Sequence, residues 1–164
     1  MSKRIVQAFF GSGKGKTSAA VGQCIRAAGL GYSAIIIQFL KGNDVEEFSF
    51  LSKLEPEIKL FRFDKNKASY CDLTEEQKKE ERQNVINGFH FAKKVIETGE
   101  CEVLVLDEVL GMVDLGIITT DYIIELIELR DDYVRLVLTG NELPDKLLPY
   151  MDIISEIQLI KDNT

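Results

Sequence analysis

Gly11-Ser12-Gly13-Lys14-Gly15-Lys16-Thr17 is the stretch from which the chain is best read. Before it stands the apolar run Ile5-Val6-Gln7-Ala8-Phe9-Phe10, which reads as a strand over residues 5–10. After it, Ala20, Cys24 and Ala27 share one face of a helix over 16–28, and Val21, Ile25 and Ala28 widen that face. This predicts a well-buried helix with little polar surface, stopped by Gly29 and Gly31. A strand, a glycine loop and a helix in that order form a phosphate cradle. The P-loop pattern is G-x-x-x-x-G-K-[ST]. Gly15-Lys16-Thr17 matches its second half, while Phe10 stands where its first glycine would be.

The chemistry follows from these residue types. Gly11, Gly13 and Gly15 permit unusual backbone angles and close approach of phosphate. Backbone N–H groups of the turn and of the following helix start converge on an anion. Lys16 brings a mobile positive charge to terminal phosphate oxygens, and Thr17 an oxygen ligand for Mg²⁺. Lys14 is either a second positive contact or a solvated side chain, and Ser12 and Ser18 complete the expected binding set.

Working outward, Ala34-Ile35-Ile36-Ile37 within 32–39 lacks polar alternation, as do strands covered on both faces of a parallel sheet. A third strand is expected over 58–63 and a polar loop over 64–72. Thr74 and Gln77 form a possible capping box for a long helix to about residue 98. Val85, Phe89, Ala92 and Ile96 make its apolar stripe, and the charges between Glu75 and Arg82 read as a solvated face. Further strands are expected over 103–106, 133–138 and 153–160, the last at an edge. A helix over about 121–129, capped by Thr119 or Thr120, and a short one over 144–150 lie between them. The sum is one domain over 1–164: α/β, P-loop NTPase-like, doubly wound, with a mostly parallel sheet of about six strands. Its active edge lies beyond the carboxyl ends of the strands.

A second signal sits at one such end. Val103-Leu104-Val105-Leu106-Asp107-Glu108 is an apolar strand closed by two acids, the Walker B arrangement. Asp107 is the expected Mg²⁺ partner, directly or through water. Glu108 is expected to polarise a nucleophile, orient water or contact a substrate.

Composition excludes other classes. A formal charge of -7 without a basic tract disfavours nucleic acid and acidic membranes as partners. One histidine, His90, cannot build a multi-histidine metal site, and no G-x-S-x-G elbow accompanies it. Cys24, Cys71 and Cys101 are too widely spaced for a zinc motif and odd in number for a disulfide scaffold. With neither a signal-peptide core nor a spanning segment, a cytoplasmic location is expected.

The two motifs together resemble the ATP:corrinoid adenosyltransferase family of the CobA/BtuR type. Residues 11–20 follow that family's GNGKGKTTAA, with Ser12 in place of Asn. Gln38-Phe39-Leu40-Lys41-Gly42 resembles its glycine-ended second strand. Val105-Leu106-Asp107-Glu108-Val109 with Met112 is similar to VLDE(L/I)xxM, and Asp152-Ile153-Ile154-Ser155-Glu156-Ile157 to ADLVTEM. Thr139-Gly140-Asn141-Glu142-Leu143-Pro144 resembles TGRxxP, with Asn141 at the arginine position, and Phe10 stands where Thr is common. The family's usual tail after the last strand is unmatched, so the chain reads as a member with a shortened C-terminus.

The resemblance implies transfer of the 5′-deoxyadenosyl group from ATP to the Co(I) of cobalamin or another reduced corrinoid, releasing triphosphate. It implies ATP lying reversed in the loop relative to ordinary NTPases. Residues 11–17 and Asp107 take the phosphate and Mg²⁺ roles, and Lys16 and Glu108 are the catalytic candidates. It also implies a flavoprotein or other reductase that supplies Co(I), and a homodimer. The segment 61–71, with Phe61, Phe63 and Tyr70, and the loop after Glu108 are candidate corrinoid surfaces, although each residue is read first as core. The alternatives are a P-loop ATPase or kinase, or a non-catalytic ATP-binding paralogue.

Overall fold

The structure is a computed structural model that describes residues 5–39, 49–129 and 134–164. Six strands form one sheet: β1 (Ile5–Phe10), β2 (Ala34–Gln38), β3 (Ile58–Arg62), β4 (Val103–Asp107), β5 (Arg135–Gly140) and β6 (Ile153–Glu156). They lie in the order β3-β2-β4-β5-β1-β6, and every pair is parallel. All the carboxyl ends therefore share one edge, where the loop after β1 lies beside the ends of β4 and β5.

The strand faces are covered unequally. α1 (Lys16–Gly29) packs Ala20, Cys24 and Ala27 against Ala34, Ile36, Val103, Val105 and Val137 on one face. On the other lie α2 (Glu75–Thr98), α3 (Val109–Asp114) and α4 (Thr120–Leu129), over Val6, Ile35, Ile37, Leu104, Leu106, Leu136 and Leu138. The unbroken apolar runs of β2 and β4 reflect this double cover. The stripe Val85, Phe89, Ala92 and Ile96 is buried as its spacing predicts. Thr74 caps α2: its hydroxyl accepts from Gln77 N, and the Gln77 side chain accepts from Thr74 N.

Several expectations need correcting. α1 is not buried all round, because Ile25 is 52 % exposed: the inner face alone meets the sheet. β6 does lie at an edge but stops at Glu156, and residues 157–164 leave the sheet to pass over the glycine loop. β5 runs on through Thr139 and Gly140, while its expected first residue, Tyr133, lies outside the described residues. The segment after Glu108 is the helix α3, whose Val109, Leu110 and Met112 are core. Phe61 and Phe63 pack on Phe91, with ring centroids 4.6 and 5.6 Å apart. The Tyr70 hydroxyl accepts from Arg82 Nε.

Glu81 departs most from the solvated charge run, being only 1 % exposed. Its Oε1 accepts from the backbone N–H groups of Lys65 and Asn66 and from the side-chain amides of Asn66 and Asn84. It ties the loop after β3 to the first half of α2.

Among the described residues, no helix is long and apolar enough to cross a membrane. Cys24 and Cys101 are buried, and burial pushes both thiols up to about 12, whereas Cys71 is exposed. Alkylation needs the thiolate and access to it. Titration with a thiol reagent at neutral pH should therefore modify one cysteine in the native chain and all three in denaturant. Fast reaction of a second cysteine without unfolding would contradict this packing.

Candidate functional site

The glycine loop turns sharply between β1 and α1. Gly11 has φ 121° and Gly15 φ 103°, a region that residues with a side chain rarely adopt. Gly15 ends the loop as the cap of α1, so the first N–H groups of that helix, at Lys16, Thr17 and Ser18, point toward the loop. Ser12 and Ser18 are exposed at the loop and at the helix start. Lys16 is folded in: its Nζ donates to Gly11 O and Gly13 O at 2.8 Å each, and the residue is 9 % exposed.

The polypeptide after β6 braces this loop. Ile157 N donates to Phe10 O, and Ile157 O accepts from Gly13 N, both at 2.8 Å. A Cβ on Gly11 would come within 2.4 Å of Ile157 O, and one on Gly13 within 2.7 Å of Ile157 Cγ2. The sequence reading gives these glycines to phosphate approach; the structure adds close contact with the chain's own C-terminal segment, and it engages the Gly13 N–H there. Gly11 N donates to Asn141 O at 3.0 Å, so residue 141 adjoins the loop through its backbone. Lys14 Nζ lies 2.8 Å from Asp162 Oδ2. That ammonium, with the hydroxyl and amide of Thr164 adding to it, holds the Asp162 carboxyl at about 2.

Asp107 closes β4 with no solvent exposure. Its Oδ1 accepts from Thr17 Oγ1 at 2.8 Å and from Thr139 Oγ1 at 2.7 Å, and its Oδ2 accepts from Gln38 Nε2 at 3.1 Å. The parallel register sets Gln38 of β2 beside Asp107, and β5 brings Thr139 from the other side. Thr17 of the glycine loop and Asp107 of the acidic strand end thus meet directly, as the two motifs require. Hard oxygen ligands of this kind suit a small divalent cation.

Glu108 follows in the left-handed region, with φ 63° and ψ 15°. Its N–H donates to Thr139 Oγ1 at 2.8 Å, and its Oε2 lies toward Gly111 in the first turn of α3. A non-glycine residue held there costs about 1–2 kcal/mol, and such strain concentrates at functional positions. Gly140 makes room for the same turn: a Cβ on it would come within 2.4 Å of Leu110 Cβ.

Sequence reading gave no role in the site to Gln38, Thr139 or Ile157. A polar residue directly after an apolar run, Gln38 after Ile35-Ile36-Ile37 and Thr139 after Leu136-Val137-Leu138, was the available signal for the first two. Ile157 carried none, since its part depends on a contact with residues at the opposite end of the chain.

The family model for ATP:corrinoid adenosyltransferase BtuR/CobO/CobP matches residues 2–164. The chain is 27 % identical to the corrinoid adenosyltransferase CobA of Salmonella typhimurium, covering 96 % of this chain and 78 % of that protein. The corrinoid adenosyltransferase of Escherichia coli is 26 % identical with the same coverage. Protein all2391 of Nostoc sp. is 29 % identical over 93 % of this chain, which spans only 43 % of that protein's length. Among solved structures, the KaiC-like protein PH0186 of Pyrococcus horikoshii superposes with a TM-score of 0.59 at 16 % identity. It covers 97 % of this chain and 74 % of its own, a likeness of fold.

The brace can be tested on two glycines. Gly11→Ala should destabilise the protein by more than about 1 kcal/mol, because φ and space both oppose a side chain. Gly22→Ala, mid-helix in α1 with nothing within 4 Å of its added Cβ, should stabilise by up to about 1 kcal/mol. Denaturant unfolding of both variants reads the difference; equal effects would refute the contact with Ile157.

Proposed function

Because the chain belongs to the ATP:corrinoid adenosyltransferase family BtuR/CobO/CobP, we propose that it transfers the 5′-deoxyadenosyl group of ATP to the Co(I) of a reduced corrinoid and releases triphosphate. The observation that carries the reading is the Thr17–Asp107 hydrogen bond, which joins the phosphate loop to the acidic strand end. In this reaction the electron pair of cobalt forms the bond to C5′ while the C5′–O bond breaks. The triphosphate departs with the pair from that bond, and no phosphoanhydride is cleaved.

The chain's task is then to hold and align a polyanion. Lys16 leaves the loop carbonyls for phosphate oxygens, and the N–H groups at the start of α1 join it. Lys14 exchanges Asp162 for phosphate in the same way. Alignment of C5′ removes much of the entropic barrier, and preorganised positive groups stabilise the charge gathering on the leaving group. Thr17 and Asp107 would hold Mg²⁺, whose bound form neutralises part of the triphosphate charge. Glu108 borders the reacting end of the site and contacts the substrate or its water. Cobalt arrives as part of the substrate, and a flavoprotein or other reductase maintains it as Co(I). The working form is a cytoplasmic homodimer.

The full chain incubated with ATP, Mg²⁺ and chemically reduced cobalamin should yield adenosylcobalamin and triphosphate. Formation of ADP or phosphate without the corrinoid product would point to an ATPase or kinase and sink the transferase reading; tight ATP binding without turnover would point to a non-catalytic paralogue. Lys16→Ala should weaken ATP binding about tenfold or more, as expected for loss of a charge-assisted contact. Asp107→Asn should lower activity most at limiting Mg²⁺.

A further inference from the structure

We propose that Gln38 is a positioning residue of this site, whose side-chain carbonyl receives a hydrogen bond from water on the divalent cation held at Thr17 and Asp107. The inference rests on the metal reading above and adds a residue that the two sequence motifs do not contain.

Gln38 is the last residue of β2 and the register partner of Asp107. It is fully buried, although the four residues before it in β2 are apolar. Its amide has a fixed sense. Nε2 donates to Asp107 Oδ2 at 3.1 Å, and turning the amide over would press its carbonyl oxygen against a carboxylate. Oε1 is therefore the amide atom not bonded to Asp107, and it is buried without a hydrogen-bond partner. A buried acceptor left unmatched is destabilising, and native proteins rarely keep one without use.

Among the described residues, the donors grouped around Asp107 are already engaged. Thr17 and Thr139 direct their hydroxyls at Asp107 Oδ1, and the Glu108 N–H goes to Thr139 Oγ1. A bound ligand would supply the hydrogen that Oε1 lacks. Mg²⁺ keeps several of its waters when bound through one carboxylate. Such a water beside Asp107 is a donor of the right kind. Gln38 would thus act from both ends of its amide, orienting the carboxylate through Nε2 and the hydrated cation through Oε1.

The test is Mn²⁺ binding followed by electron paramagnetic resonance, on the full chain with a non-transferable ATP analogue, beside analogue affinity in EDTA. Gln38→Met keeps the volume but has neither an amide donor nor a carbonyl. It should weaken Mn²⁺ binding about tenfold or more, the effect typical of residues that orient metal ligands, while affinity in EDTA changes less than twofold. Gln38→Glu restores an acceptor but loses the donor to Asp107, so its Mn²⁺ affinity should lie between that of Gln38→Met and that of the wild type. A purely structural role for Nε2 predicts instead that Gln38→Glu is as weak as Gln38→Met, and that result would overturn the proposal. Equal Mn²⁺ affinity in wild type and Gln38→Met would also overturn it, leaving the metal reading intact. A wild-type chain that binds the analogue but no Mn²⁺ would overturn both.

Discussion

A carboxylate removed from water is tolerable only where donors replace its hydration. Asp107 meets that condition with donors from α1, β2 and β5, each delivered by a different part of the chain. The demand reaches backward through the fold. β2 and β5 must flank β4 in parallel register, and the glycine loop must start α1 so that Thr17 points at the end of β4. A shift of one residue in either strand pairing would turn Gln38 or Thr139 to the opposite face of the sheet. The site is therefore a reading of the register, and the apolar strands that fix the register are part of its machinery.

The glycine loop is constrained from a second direction. In sequence it looks like a device for phosphate alone, yet Gly11 and Gly13 also lie against Ile157, which exchanges hydrogen bonds with Phe10 and Gly13. The segment after β6 supports the loop from behind, and Lys14 fastens to Asp162 of that same segment. Loop shape and C-terminal packing are consequently one structural problem. The residue after the loop's strand and the residues after the last strand are read together, although they stand at the two ends of the chain.

What was legible from sequence follows from the range of the interactions involved. The glycine loop, the two acids of β4, the capping box of α2 and the apolar runs of β2 and β4 are local patterns set by neighbours a few residues away. The capping box and both apolar strands stand as read. Glu81 sits inside a run of charges that reads as one solvated face; its burial depends on a loop returning to it from 15 to 16 residues upstream. α3, with six residues, is shorter than two turns and leaves no period to detect. Gln38 carries no charge to mark it, and its meaning appears only when β4 is laid alongside. Ile157 looked like the continuation of an edge strand because an apolar residue has no way to announce a contact with glycine.

In the function proposed above, the position of Lys16 bears on how a protein with a formal charge of -7 would hold a polyphosphate. Its ammonium is already satisfied by two loop carbonyls, as the ammonium of Lys14 is by Asp162. Phosphate binding is then an exchange of partners, and its free energy is a difference between two sets of charge-assisted hydrogen bonds. The exchange favours phosphate at Lys16 because carbonyl oxygens carry partial charge and phosphate oxygens carry full charge. At Lys14 the competitor is a full carboxylate, and the balance is closer. On the proposed reading Lys16 would be the larger contributor to affinity, and Lys14 the residue whose contribution depends on the segment after β6 that holds its alternative partner.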